Sequence, residues 1–411
     1  MKHSALSYLA ALVVLLFFGD GCGLPSGQAP QADLRTLPFD SVEAIARGSR
    51  VTLMMWQGDR NINRYMNTYV KPQLAERYGI ELELASGQGR EVVSALMAEA
   101  QAGASASDID MAWINGETFY QLREIDALYG PFTDRLPNAQ YVDWDNRFIA
   151  YDFRQPVEGY ECPWGNVQFC LIYNSERIAS PPRTAAALAE WIKANPGRFT
   201  IGTDFTGMTF LKSLMINLAD DPEAFDAPFT EERYAALSAP LWQWLTDVKP
   251  YLWREGEAFP NSVAPMHQLF SQGELWFTMS NNDGEVDNKV STGDLPAFSR
   301  GYVLDGGSIR NSHYMGIVDR SGNKAGALVV ANFLLSPEAQ LVKARSEVWG
   351  DGTVLDAKRL PDAMRSEFES VTLRRNVAPR SELNALALPE PDAEYMIRLY
   401  TDFRTRIVEA P

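Results

Sequence analysis

Short β-branched and aromatic runs alternate with longer segments of helical period along this chain, and few architectures can satisfy that pattern. Residues 51–56 read as a strand, and from Asn61 onward Ile62, Tyr65, Met66, Tyr69 and Val70 fall on one helical face. Residues 80–84 form the next strand. Val92, Val93, Leu96, Met97 and Ala100 mark a second helix that stops near Gly103, ahead of a third strand over 109–114. Strands and helices in that order build an α/β protein, a mostly parallel sheet flanked by helices. With 411 residues the chain exceeds one comfortable core, so two such lobes are expected.

The texture changes over 151–173, an aromatic and Gly-Pro rich stretch that reads as a crossing from the first lobe to the second. A new α/β unit then begins. Thr184 caps a helix bearing Leu188, Trp191 and Ile192, which ends at Asn195-Pro196-Gly197 before a strand over 198–202. Phe210, Leu211, Leu214, Met215 and Leu218 give the next amphipathic helix, and Thr230 caps another. A strand over 276–279 runs into Ser280-Asn281-Asn282-Asp283-Gly284, where the chain is expected to return. The expected lobes are 48–157 plus 284–338 and 158–283 plus 339–411.

The first 22 residues carry an address. Lys2 and His3 precede an apolar run over 5–18, the length of a signal-peptide core and short of the ~20 residues that span a bilayer. Small residues before Cys22 resemble a lipoprotein processing site, which would make Cys22 the acylated first residue; plain secretion is the other reading. Residues 23–47, which open on a Pro-, Ser-, Gly- and Gln-containing stretch, are expected to be a tether. Beyond Cys22 only Cys162 and Cys170 remain, an even pair either side of a Pro-Trp-Gly turn. They could close a disulfide in an oxidising compartment or stay as two small buried thiols.

Charge narrows the partners. Lys and Arg number 37 against 53 Asp and Glu, and the net charge of -16 repels phosphate backbones, so no nucleic-acid partner is expected.

Several ordered motifs carry a resemblance. They are Trp113-Ile114-Asn115-Gly116-Glu117, Gly130-Pro131-Phe132-Thr133 with Leu136-Pro137-Asn138, Pro156-Val157-Glu158-Gly159-Tyr160-Glu161, Asn195-Pro196-Gly197-Arg198-Phe199-Thr200 and Asp204-Phe205-Thr206-Gly207. Through them the chain resembles the solute-binding proteins of ABC importers, the YnjB-type family among them, over nearly all of its mature length. The resemblance implies the two-lobed periplasmic-binding-protein fold (type II) with crossing strands, closure on a small solute, and delivery to a permease driven by an ATPase. It implies no cofactor and no catalysis, and the working unit is expected to be a monomer. A thiamine-like, ring-bearing or phosphorylated solute fits its terms.

Ligands of open α/β lobes sit beyond the carboxyl ends of the strands. Trp56 and Asp59 follow the first strand, and Asn115 and Glu117 follow the third. Each is a candidate for ligand contact, with helix capping or packing as the plain alternative. In the crossing, Tyr160 and Trp164 could stack a ring while Glu161 holds a cation. Thr206 and Gly207 open a helix whose free amides suit an anionic or oxygen-rich group, and Ser280 and Asn281 follow the return strand. Trp349, Gly350 and Asp351 come after these.

His267 and His313 lie far apart, in no spacing that binds metal or activates a nucleophile, so no metal is expected. Neither a phosphate-binding Gly-rich loop nor a Gly-x-Ser-x-Gly elbow occurs. The rival readings are a secreted carbohydrate-active enzyme using Glu158 and Glu161 beside Trp164, and a non-catalytic lipoprotein scaffold.

Overall fold

The computed structural model describes residues 33–371 and 374–410. The signal segment, the acylation site at Cys22 and the first part of the tether lie outside the described residues.

Among these residues the strands are β1 (Arg50–Met55), β2 (Glu81–Ser86), β3 (Met111–Ile114), the hairpin of β4 (Tyr151–Asp152) and β5 (Gln155–Pro156), β6 (Glu161–Gln168), β7 (Cys170–Asn174), β8 (Phe277–Ser280), β9 (Ser299–Tyr302), β10 (Ser308–Ile317) and β11 (Ala387–Leu388). The larger sheet has the order β11-β10-β3-β1-β2, and β6 joins it along β10. In it β1 runs parallel to β2 and β3, while β10 runs antiparallel to β3 and β6. Val51, Leu53 and Met55 alternate into the core along β1, as a half-buried strand requires. The smaller sheet, β8-β7-β9, supports a second core.

Local chemistry sets the helix ends that orient the loops. Asp59 accepts from the Asn61 and Ile62 amides at 2.7 and 3.0 Å and so starts the helical run that reaches Tyr78. Gly79 ends it at φ 67, a left-handed conformation that a β-carbon would strain. Thr184 and Thr230 cap the helices Ala185–Ala194 and Glu231–Val248, as the sequence predicts.

The two-lobed α/β architecture is as expected, and its internal boundaries differ. Residues 39–46, placed in the tether, form a helix that packs on helix Lys324–Leu334 and buries Val42, worth ~1.5–3 kcal/mol. β6 belongs to the larger sheet, so the first crossing is at Phe169, between β6 and β7. The return comes after β9 rather than at Ser280, because β8 and β9 both pair with β7. Leu341, Trp349, Val354 and Phe368 pack in the first core, not the second. The smaller sheet is antiparallel among its described strands. Residues 198–202, expected to be a strand there, form no ladder, and the Arg198 and Phe199 carbonyls accept from the Trp276 and Trp253 amides.

Candidate functional site

The loops after β1, β2 and β3 face the second lobe across a cavity of 1050 Å³. Seven of the expected residues line it: Trp56, Asp59, Asn115 and Glu117 from the first lobe, and Thr206, Ser280 and Asn281 from the second. Trp349 and Asp351 line it too, and Val167, Asn311 and His313 come from the strands that link the lobes. The arrangement obeys the rule that placed the candidates, since β1 and β3 end at the cavity mouth.

Four expected ligand residues lie elsewhere. Tyr160 packs on Gly130, with the Arg123 guanidinium 3.7 Å from its ring centroid, so its face is already occupied. Glu161 is fully buried in β6, neither carboxylate oxygen has a hydrogen-bond partner, and burial pushes its pKa well above the usual range. Trp164 is buried one layer behind the cavity, edge-on to Trp113 and Trp349 at 5.1 and 5.0 Å. Gly207 is inside helix Phe205–Leu218, its amide taken by Asp204 at 3.1 Å. Of the two readings of the cysteines the buried thiols hold: Cys162 and Cys170 are free, on strands of different sheets, each buried in a different core.

Other side chains complete the walls. Trp113 and His313 have ring centroids 5.0 Å apart, and His313 stacks on Trp349 at 5.7 Å and 24°. Asp351 fixes this slab from below, with Oδ2 2.6 Å from Lys343 Nζ and 3.2 Å from His313 Nε2. Burial would raise the Asp351 pKa, and the Lys343 charge, with the bond to His313, holds it below the usual range. On the second lobe Asp204 accepts from Val263 at 2.9 Å as well as from Gly207, and so occupies amides at two helix starts. The anion-binding capacity expected at Thr206 is therefore already used in part by a carboxylate of the protein itself. Asn281 Nδ2 donates to Thr206 Oγ1 at 3.0 Å.

Two lysine clusters border the cavity. Lys289, on helix Glu285–Thr292 of the second lobe, contacts Asp59 of the first lobe and Glu285 at 3.0 Å. Glu285 also accepts from the Ser280 hydroxyl and lies 3.6 Å from His267. Asn61 extends this junction by donating to Asn288 and Asp294, both at 3.0 Å. The second lysine, Lys212, is fully buried, pairs with Glu390 and sits 3.9 Å from the Phe153 ring centroid. Asp152, which accepts from the Gly116 amide, and Glu117 complete that group. Burial pushes Glu117 up to about 7, partly opposed by Lys212, and its Oε2 has no hydrogen-bond partner.

The fold and the cleft define a class: a two-lobed clamp whose ligand chamber lies between an α/β lobe on each side. The solved structures that resemble it share the fold. They include the spermidine/putrescine ABC transporter substrate-binding protein PotD of Streptococcus pneumoniae (TM-score 0.58, 15% identity, 87% of this chain and 99% of that one). The periplasmic binding protein AfuA of Actinobacillus pleuropneumoniae, with fructose-6-phosphate bound, has TM-score 0.62 at 12% identity over 88% of this chain and 99% of that one. Protein YnjB of Escherichia coli (strain K12) is 40% identical over 355 residues, 85% of this chain and 91% of that protein. The model of the bacterial extracellular solute-binding protein family matches residues 69–367. The chain belongs to that family.

Proposed function

We propose that this solute-binding protein captures a cationic, ring-bearing or amine-bearing solute in the interlobe cleft and delivers it to the permease and ATPase of an ABC importer. One observation carries the reading. Carboxylates of the lining (Asp59, Glu91, Glu117, Asp204, Glu285, Asp351, Glu409) outnumber its guanidiniums (Arg90, Arg404), and they stand among the indoles of Trp56, Trp113 and Trp349. Indole faces attract cations, and a carboxylate fixes their position. The name of PotD, a spermidine/putrescine protein of the same fold, is in keeping with such cargo. Binding without turnover is in keeping with the family, and the N-terminal sequence supports an extracytoplasmic location, with an anchor at Cys22 as the reading over plain secretion.

Contacts made only in the closed state would shift the lobes toward closure and present that shape to the permease. Calorimetry with putrescine, spermidine, thiamine and fructose 6-phosphate, paired with small-angle scattering, tests this. A cation should bind, compact the protein and be recovered unchanged. Binding of the sugar phosphate alone overturns the ligand class, and conversion of any ligand overturns the clamp. Intact-mass analysis of membrane-associated protein, compared with a Cys22→Ser variant, should show an acyl mass that the variant lacks.

A further inference from the structure

A second cavity, of 350 Å³, lies beside the linking strand β10 and shares only Asn311 with the cleft. It is lined by Arg147, Phe148 and Tyr151 from the stretch leading into β6, and by Pro389 and Glu390 just past β11.

Its arginines are not treated alike. Arg154 is neutralised in the ordinary way, 2.6 Å from Asp226 and 3.5 Å from Asp392. Arg310 is half-buried and, among the described residues, donates only to amide oxygens, Asn166 Oδ1 at 2.6 Å and Asn384 Oδ1. Arg147, exposed at the rim, forms no ion pair among the described residues either. Both unpaired guanidiniums lie against one ring, 5.3 and 5.9 Å from the centroid of Phe148. Holding a guanidinium half-buried with no carboxylate at ion-pair distance is costly. The omission stands out in a chain with 53 acidic residues against 37 basic ones. The acids that do line the cavity are already engaged: Glu390 by Lys212 and, at 2.8 Å, by Asn311 Nδ2, and Asp152 by the Gly116 amide.

We propose that this cavity is a second ligand site, for a small organic oxyanion whose charged group pairs with Arg310 and Arg147 and whose flat apolar body lies against Phe148, Tyr151 and Pro389. Guanidinium forks match carboxylate and phosphate oxygens, and the ring walls suit an aryl group. The site is independent of the cleft's cargo, because its charge has the opposite sign. Burial lowers the Arg310 pKa only to about 10, so the guanidinium stays charged at neutral pH.

The mature chain labelled with 15N-arginine reports directly through its Nε–Hε signals, the Arg310 signal being assigned by its loss in Arg310→Gln. Titration with phenyl phosphate should move that signal saturably. Arg310→Gln should weaken binding measured by calorimetry about tenfold or more, the loss of one charge-assisted pair. Arg147→Glu, a change at an exposed rim position that keeps the fold, should weaken it by a similar factor. Benzoate and phenyl phosphate distinguish a carboxylate from a phosphate ligand, and inorganic phosphate should bind more weakly than either. No saturable movement in the millimolar range, or affinity unchanged in Arg147→Glu, overturns the proposal. Equal affinity for inorganic and phenyl phosphate overturns the assignment of the apolar body.

Discussion

Lys289 and Lys212 border the same cleft, are both buried among carboxyl groups, and meet opposite electrostatic fates. Around Lys289 every carboxylate has its own partners: Asp59 has the Asn61 and Ile62 amides, and Glu285 has Ser280 and His267. Burial alone would raise Glu285, yet the Lys289 charge and His267 hold it far below the usual range. Burial would lower Lys289, and Glu285 and Asp59 raise it instead. Around Lys212 one ammonium serves Glu117, Asp152 and Glu390, and burial prevails: all three acids are raised and the lysine is lowered. The number of partners per carboxylate decides between fixed charge and shared protons. The Lys289 group therefore acts as a tie of fixed charge between the lobes as they stand in this structure, and the Lys212 group as a part of the wall whose charge follows pH.

Removing each lysine should separate these behaviours most clearly. Lys289→Met takes the ammonium from Glu285 and Asp59 and should cost ~3–5 kcal/mol in urea denaturation at pH 7. Lys212→Met should cost less, about 2 kcal/mol, because Glu390 and Asp152 can take protons in place of the ammonium. Its cost should shrink further toward pH 5. Equal losses for the two variants at both pH values would erase the distinction.

How far the sequence reveals these groups depends on the distance over which each is assembled. The loops at the ends of β1 and β3 are legible, since strand runs and the cap at Asp59 are local signals, and Trp56, Asp59, Asn115 and Glu117 all reach the cavity. Trp113 and Trp164 could not be told apart. Which indole faces the cavity depends on the pairing of β10 with β3 and β6, including an irregularity at His313 and Tyr314. Tyr160 misled because Arg123, which covers it, sits on a helix well before it in the chain. Lys212 and Glu390 are 178 residues apart, and no spacing rule joins them. Asp204 is a polar residue directly before a helix, so its capping role is a local signal that the sequence does carry.

Shared protons also predict a pH response of binding. Glu117 is raised from 4.5 to about 7, so its contribution to stability is fully present below pH 4.5 and disappears as pH rises through 7. Glu285 is depressed, so its contribution is present above pH 4.5 and is lost only as pH falls through its folded value. A cation in the cleft favours ionised Glu117, so its affinity should rise about tenfold between pH 6 and 8, with proton release seen as buffer-dependent calorimetric heat. Glu117→Gln should flatten the profile. A flat profile in the wild type would place Glu117 outside the charge balance of binding.

The smallest effect should come from Ser280→Ala. The sequence makes Ser280 a ligand contact, whereas the structure turns its hydroxyl toward Glu285 and the Asn282 carbonyl. Lys289 and His267 remain on that carboxylate after the change, so stability should fall by only ~1 kcal/mol. Affinity for the cation should stay within about twofold, since the one further bond lost is that from the Asn282 amide at 3.0 Å, inside the same turn. A larger loss of affinity with stability intact would mean that the hydroxyl turns to the ligand on closure. The Lys289 group would then be part of the binding surface, and the separation of a fixed tie from a responsive wall would have to be redrawn around Ser280.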